Sequence, residues 1–111
     1  MLSTGDTAVV DELRRRIPEV SALCERYHVR ELHLFGSATS ASSLSEVRDL
    51  DFLVTFKQMP PALHAESYFG LAESLSGMFS LHIDLVEADA IRNPFFRESV
   101  EERKEAVYGV A

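Results

Sequence analysis

Two aspartates stand at the start of an apolar stretch, where a buried strand would normally carry hydrophobic side chains. The stretch reads Asp-Leu-Asp-Phe-Leu-Val-Thr-Phe from Asp49 to Phe56. Because successive side chains of a strand point to opposite faces, Asp49 and Asp51 become neighbours on one face. Two such carboxylates repel each other, and their oxygen atoms suit a hard divalent cation such as magnesium or manganese. The pair therefore predicts a metal site.

A third aspartate repeats this pattern further along the chain. Asp84 lies in the segment His-Ile-Asp-Leu-Val, and alternation places it on the same face as His82 and Val86. Carboxylates can bridge two metal ions about 4 Å apart, which stabilises the attacking and leaving oxygens of nucleotidyl transfer. Asp84 can also accept the proton of an attacking hydroxyl group, and His82 can orient Asp84 or contact a phosphate. The expected chemistry is displacement at phosphorus.

A glycine and a serine follow the first predicted strand. Gly36 has no side chain, so backbone N–H groups beside it can approach a phosphate, and the Ser37 hydroxyl adds a hydrogen-bond donor. We therefore expect Gly36 and Ser37 to bind the phosphates of a nucleotide. Asp49, Asp51 and Asp84 are the expected catalytic and metal-binding residues.

Hydrophobic spacing predicts the elements that position these residues. Two helical stretches come first and are separated at Pro18, because proline interrupts the helical hydrogen-bond ladder. Three strands are expected, at residues 31–35, 50–56 and 81–86, and a helix after a proline pair separates the last two. The short link between the first two strands favours antiparallel pairing, while the helix permits a crossover into the third. The predicted fold is α/β, a small mixed sheet packed by helices.

Apolar periodicity also predicts which helix faces are buried. In the helix before the third strand, the expected inward positions are Ala65, Tyr68, Phe69, Ala72, Leu75 and Phe79. A last helix is expected to follow Pro94 and to present Phe96, Val100 and Val107 inward. Both faces are expected to pack on the sheet.

Length, charge and cysteine content limit the class of protein. A chain of 111 residues favours one domain, spanning residues 1–111. The formal net charge of -7 has the wrong sign for general binding to nucleic acid or to an anionic membrane. Cys24 is the only cysteine, which excludes an intrachain disulfide, and the sequence contains no apolar run long enough to span a bilayer. We therefore expect a cytoplasmic protein.

The order and spacing of these motifs resemble one protein family. The motifs are Leu-Phe-Gly-Ser at residues 34–37, Asp-Leu-Asp-Phe-Leu-Val at 49–54 and His-Ile-Asp-Leu-Val at 82–86. Together they look like the minimal nucleotidyltransferase family of the DNA polymerase beta superfamily. The resemblance extends over nearly the whole chain, from the helix before Leu32 to Tyr108.

The resemblance implies a function for the predicted site. In that family the Gly-Ser turn holds the triphosphate, the paired aspartates bind magnesium, and the later aspartate joins the metal site or activates the acceptor. Members often act as antitoxins that transfer AMP from ATP to a tyrosine of a helical HEPN-domain toxin. The implied substrate is ATP, the implied cofactor is Mg²⁺ or Mn²⁺, and the implied partner is a HEPN-type toxin. A small domain leaves one wall of the acceptor pocket to that partner or to a homo-oligomer.

Two other functions remain open, and the loop after Ser37 bears on the first of them. The family commonly carries an arginine and a second glycine there, whereas this chain reads Ala-Thr-Ser-Ala at residues 38–41. Arg48 also replaces a common serine just before the first aspartate. One alternative is therefore a catalytically degenerate binding module that neutralises a partner by contact. The other is an aminoglycoside-type transferase that acts on a small molecule.

Overall fold

The chain enters its sheet through two short helices. The computed structural model describes residues 8–36 and 49–109, in which α1 spans Ala8–Arg15 and α2 spans Ile17–Arg26. Pro18 lies in the first turn of α2, where the N–H that proline lacks would have no helical partner. The predicted break between the helices at Pro18 is therefore confirmed.

The described part of the chain forms a mixed sheet of four strands. Their bounds are β1 Val29–Phe35, β2 Asp49–Phe56, β3 His82–Glu87 and β4 Glu105–Tyr108. The order across the sheet is β3-β2-β1-β4, with β1 antiparallel to both β2 and β4, and β2 parallel to β3. A parallel pair needs a crossover connection, and the helix α3, Pro61–Phe79, provides it. The predicted α/β fold with a small mixed sheet is confirmed.

The buried face of α3 differs in part from the predicted one. Leu75 and Phe79 are buried as expected, but Ala65 and Phe69 are exposed, and Ser67 and Leu71 are buried instead. The helix carries apolar residues around most of its circumference, so periodicity alone does not fix the face that meets the sheet. Contacts with the rest of the protein decide it.

A close contact between α2 and α3 helps to determine which face of α3 is buried. The ring of Tyr27 lies against Gly70, where an added Cβ would come within 2.9 Å of the ring atom Cζ. The Tyr27 hydroxyl also lies 3.4 Å from the Ser74 hydroxyl, within hydrogen-bonding distance. The absence of a side chain at Gly70 therefore lets the end of α2 approach the middle of α3.

The last part of the chain corrects the sequence prediction. The final helix α4, Pro94–Arg103, ends before Val107, which is buried in β4 instead of on a helix. Without β4, the outer edge of β1 would leave its backbone N–H and C=O groups unpaired. Residues 105–108 pair with this edge. Four residues are too few for a period of two to stand out from a helical period. Val100 is buried in α4 as predicted, whereas Phe96 is 42% exposed.

The two faces of the sheet are packed differently. The main core lies on the face that carries Leu50, Phe52 and Val54, together with buried residues of the first three helices. On the other face, Phe35, Leu53 and Val100 form a small second cluster. Because Leu53 lies two residues after Asp51 in β2, it shares the face of the aspartates, and this cluster lies on the acidic face of the sheet. In the parts of the chain that are described, no helix is long and apolar enough to cross a membrane.

Two glycines of α3 give a matched test of this packing. Gly70→Ala should lower the free energy of unfolding by about 1–3 kcal/mol, because the new methyl group meets the Tyr27 ring. Gly77→Ala should raise it by about 0.5–1 kcal/mol, because an added Cβ at Gly77 has no neighbour within 4 Å and alanine is the better helix former. Urea unfolding of both variants measures these changes. Stabilisation by Gly70→Ala would contradict the described contact.

Candidate active site

Two of the predicted site residues lie side by side on neighbouring strands. Asp51 of β2 is paired in register with Asp84 of β3, and both side chains face the same side of the sheet. A parallel crossover is what brings together residues that are 33 positions apart in the sequence. The sheet thereby holds two carboxyl groups at one place on its surface.

Asp49 lies two residues before Asp51 on the same face of β2, and it is in register with His82 of β3. The His82 Nδ1 atom is 3.0 Å from Asp49 Oδ1, and both side chains are more than half exposed. His82 was expected to orient Asp84 or to contact a phosphate, but its described partner is Asp49. The third carboxylate is therefore close to the pair formed by Asp51 and Asp84, with a histidine beside it.

The pKa of Asp51 is raised above its ordinary value. Burial is the largest cause, followed by the negative charge of Asp84, a hydrogen bond between the two carboxyl groups and the charge of Asp49. His82 acts in the opposite direction but is weaker. The site therefore holds more negative charge than its own side chains neutralise, which favours either a shared proton or a bound cation.

The glycine of the Gly-Ser turn lies directly against one of these carboxylates. Gly36 directly follows β1 with φ of +81°, and an added Cβ would contact the carboxylate of Asp51, at 3.2 Å from its Cγ atom. A side chain at this position would both strain the backbone and displace Asp51. Gly36 is thus required by the packing of the site itself. Ser37 and Arg48 lie outside the described residues.

A cleft opens in front of the paired aspartates. It has a volume of about 420 Å³ and is lined by Phe35, Gly36, Asp51, Asp84, Val86, Phe96, Ser99 and Val100. Three of these residues belong to α4, and Phe96 also contacts Phe35 edge-to-face, with ring centroids 6.1 Å apart. Sequence reasoning assigned Phe96 to the core and gave Ser99 no role. Their spacing of three places them on one helix face, but only the fold shows that this face meets the acidic side of the sheet.

The family of the chain follows from comparison with known proteins. The sequence profile of the family described as nucleotidyltransferase domain matches residues 20–107, from α2 to β4. The chain belongs to this nucleotidyltransferase family. The match includes Gly36 and all three aspartates discussed above.

Individual relatives agree with this assignment. The nucleotidyltransferase is 36% identical over 80 residues to a Methanocaldococcus jannaschii protein provisionally named a protein adenylyltransferase, covering 72% of this chain and 78% of the relative. A solved structure provisionally named a minimal nucleotidyltransferase is 27% identical, with a TM-score of 0.65, over 88% of this chain and 94% of its own.

A third comparison concerns the fold alone. A chain in the structure of a tri-AMPylated Shewanella oneidensis HEPN toxin in complex with MNT antitoxin superposes with a TM-score of 0.60. The identity is 16%, and the match covers 88% of this nucleotidyltransferase and 73% of that chain. The sheet with its helices is therefore one that also occurs in a toxin–antitoxin assembly.

The donor atoms of the nucleotidyltransferase site fit a hard divalent cation. Asp51 and Asp84 lie side by side and both offer carboxylate oxygens, and Asp51 lacks a compensating positive charge strong enough to lower its pKa. Within residues 8–36 and 49–109, no three His, Cys, Asp or Glu side chains converge closely enough to hold a metal ion. Asp49 would have to turn away from His82 to join the other two carboxylates.

Removal of the Asp51 charge should stabilise the metal-free protein. Because the pKa of Asp51 is raised in the folded state, the folded protein binds this proton more tightly than the unfolded chain does. The contribution of Asp51 to stability is therefore fully present below its unfolded pKa and is lost as pH rises through its folded pKa. Asp51→Asn should therefore unfold at higher urea concentration than wild type near pH 7, with the difference shrinking toward pH 4. Urea unfolding across this range with a chelator present checks it. A difference that grows on acidification would contradict the raised pKa.

Replacement of Gly36 should disturb the aspartate. Gly36→Ala should lower the free energy of unfolding by about 1–3 kcal/mol, because the methyl group is strained at positive φ and meets the Asp51 carboxylate. An NMR titration should also show a changed pKa for Asp51. Gly77→Ala in α3 serves as the control, because an added Cβ there has no neighbour within 4 Å. An unchanged Asp51 titration in folded Gly36→Ala would rule out the described contact.

Proposed function

We propose that this nucleotidyltransferase transfers AMP from ATP to a tyrosine hydroxyl of a HEPN-type toxin and thereby acts as its antitoxin. The observation that carries the proposal is the in-register pair of Asp51 and Asp84 in a cleft beside Gly36. The name of the Methanocaldococcus jannaschii relative and the AMPylated toxin in the Shewanella oneidensis complex support the choice of AMP and of a protein acceptor.

In this proposal each site residue has a distinct task. Gly36 and Ser37 bind the β and γ phosphates through backbone N–H groups and the serine hydroxyl. Asp49 and Asp51 hold Mg²⁺ or Mn²⁺, with Asp84 as a further ligand. The metal ions would supply charge neutralisation for the attacking and leaving oxygens.

Proton transfer is the second task of Asp84. The hydroxyl oxygen of the acceptor forms a bond to the α phosphorus, the bond from that phosphorus to the bridging oxygen breaks, and pyrophosphate leaves. Asp84 accepts the proton that the hydroxyl group loses. Its exposed position beside Asp51 in the lining of the cleft suits this role.

The shape of the cleft favours a partner that completes it. We propose that residues 1–111 act as one domain and that the toxin, or a second copy of the chain, provides the facing wall of the acceptor pocket. We place the reaction in the cytoplasm, since the buried thiol of Cys24 fits a reducing compartment.

A contact-only antitoxin is the second candidate. It is favoured by the sequence Ala-Thr-Ser-Ala at residues 38–41, which lacks the arginine and glycine that the family commonly carries there. In this case the fold would bind and neutralise the toxin without transferring a nucleotide.

Ligand-dependent unfolding and AMP transfer separate these functions. ATP together with Mg²⁺ should stabilise the wild type, by about 2.7 kcal/mol at 100 times the dissociation constant, whereas either alone should act weakly. Asp51→Asn should lose this gain and lower transfer of radiolabelled AMP to a HEPN toxin on the order of 100-fold or more. Glu66→Gln removes an equal charge from the exposed surface of α3 and should behave as the wild type.

Three results would oppose the proposal. Toxin neutralisation that survives Asp51→Asn without any AMP transfer supports the contact-only module. Incorporation of AMP into a small molecule with no protein present supports the aminoglycoside-type reaction. A wild-type protein that binds no ATP and transfers no AMP in the presence of the toxin removes the enzymatic proposal altogether.

A further inference from the structure

The cleft has an apolar, aromatic wall. Phe96 and Val100 of α4 form it together with Phe35 and Val86, which lie on the sheet beside Asp51 and Asp84. Metal and phosphate chemistry needs only the carboxylates and Gly36, so these four apolar residues have no role in it. A volume of about 420 Å³ is within the range of pockets that hold small molecules.

Phe96 has the features of a stacking surface. Its ring packs edge-to-face against Phe35, with 74° between the ring planes, and this contact restricts the orientation of Phe96. The side chain nevertheless remains 42% exposed at the cleft. A phenyl ring held in place by a buried neighbour and open on the cleft side can stack on a planar ligand at low entropic cost.

Helix α4 is held in the orientation that this surface needs. Asn93 caps it by accepting hydrogen bonds from the backbone N–H groups of Phe95 and Phe96, at 2.9 and 3.2 Å. The Arg97 guanidinium donates to the carbonyl oxygens of Ala88 and Ile91, at 3.2 and 2.8 Å, and so ties the first turn of α4 to the segment that follows β3. Ser99, one turn after Phe96, places a hydroxyl group in the same cleft.

We propose that this aromatic wall is the nucleobase subsite, in which Phe96 stacks on the base of the bound nucleotide and Ser99 hydrogen-bonds its edge or its ribose. The inference rests on the proposed function, because it gives the nucleoside part of ATP a place beside the phosphate and metal residues. The base is a better occupant than the acceptor, because AMP must stay fixed while pyrophosphate leaves and the acceptor arrives on another protein. Stacking is tolerant of base identity, so it holds purines in general.

Comparison of two phosphate ligands isolates the contribution of the base. Isothermal titration with Mg²⁺ present measures the affinity of each variant for ATP and for inorganic tripolyphosphate, without any acceptor. Wild type should bind ATP more tightly than tripolyphosphate. Phe96→Leu should weaken ATP binding about 10-fold or more and leave tripolyphosphate binding unchanged, because only the stacked ring is lost. Phe96→Trp keeps an aromatic ring for stacking and should bind ATP about as tightly as the wild type.

The neighbouring phenylalanine is the matched control. Phe95 is 81% exposed and does not line the cleft, so Phe95→Leu should bind both ligands as the wild type does. Equal ATP affinity of Phe96→Leu and wild type overturns the base subsite while leaving the proposed transfer intact. Equal losses in Phe95→Leu and Phe96→Leu, or equal loss of both ligands in Phe96→Leu, also overturn it. A wild-type protein that binds neither ligand overturns the proposed function together with this inference.

Discussion

Repulsion between two neighbouring carboxyl groups is the constraint around which the site is arranged. Asp51 and Asp84 are adjacent because β2 and β3 are parallel and in register, and α3 is the crossover that makes this pairing possible. Burial and mutual repulsion raise the pKa of Asp51, so the folded protein keeps an electrostatic cost that a proton or a cation relieves. The same arrangement requires a glycine at position 36, since the Asp51 carboxylate occupies the space that a side chain of residue 36 would need.

The two faces of the sheet are packed unequally: one carries the main hydrophobic core, and the other carries the candidate active site. The face with the main core is closed by α1, α2 and α3, whereas the face with the aspartates is only partly closed, by the cluster of Phe35, Leu53 and Val100. A fully packed second face would bury the carboxylates without access to a ligand. The incomplete packing is therefore what leaves room for the cleft.

Sequence reasoning was accurate where the pattern is local. Alternation located β1, β2 and β3 to within two residues and placed Asp49 and Asp51 on one face, and Pro18 marked the start of α2. It failed where tertiary contacts decide: α3 buries Leu71 in place of Phe69 and β4 forms because β1 offers a free edge. The roles assigned to the five site residues remain predictions, and Ser37 lies outside the described residues. The part of the cleft formed by α4 was missed because no motif marks it.

The attachment of α4 has a consequence for the dynamics of the protein. Among its side chains whose burial is described, Val100 alone is buried. The helix is further attached by the ring contact of Phe96 with Phe35, by the hydrogen bonds of Arg97 and by the four-residue strand that follows. Segments with few buried contacts open at a smaller free-energy cost than the core of the same protein. Backbone amides of α4 should therefore exchange with solvent through local opening, whereas those of β1 and β2 should exchange only through global unfolding. One wall of the cleft thus belongs to a separate and weaker cooperative unit than the sheet that carries the aspartates.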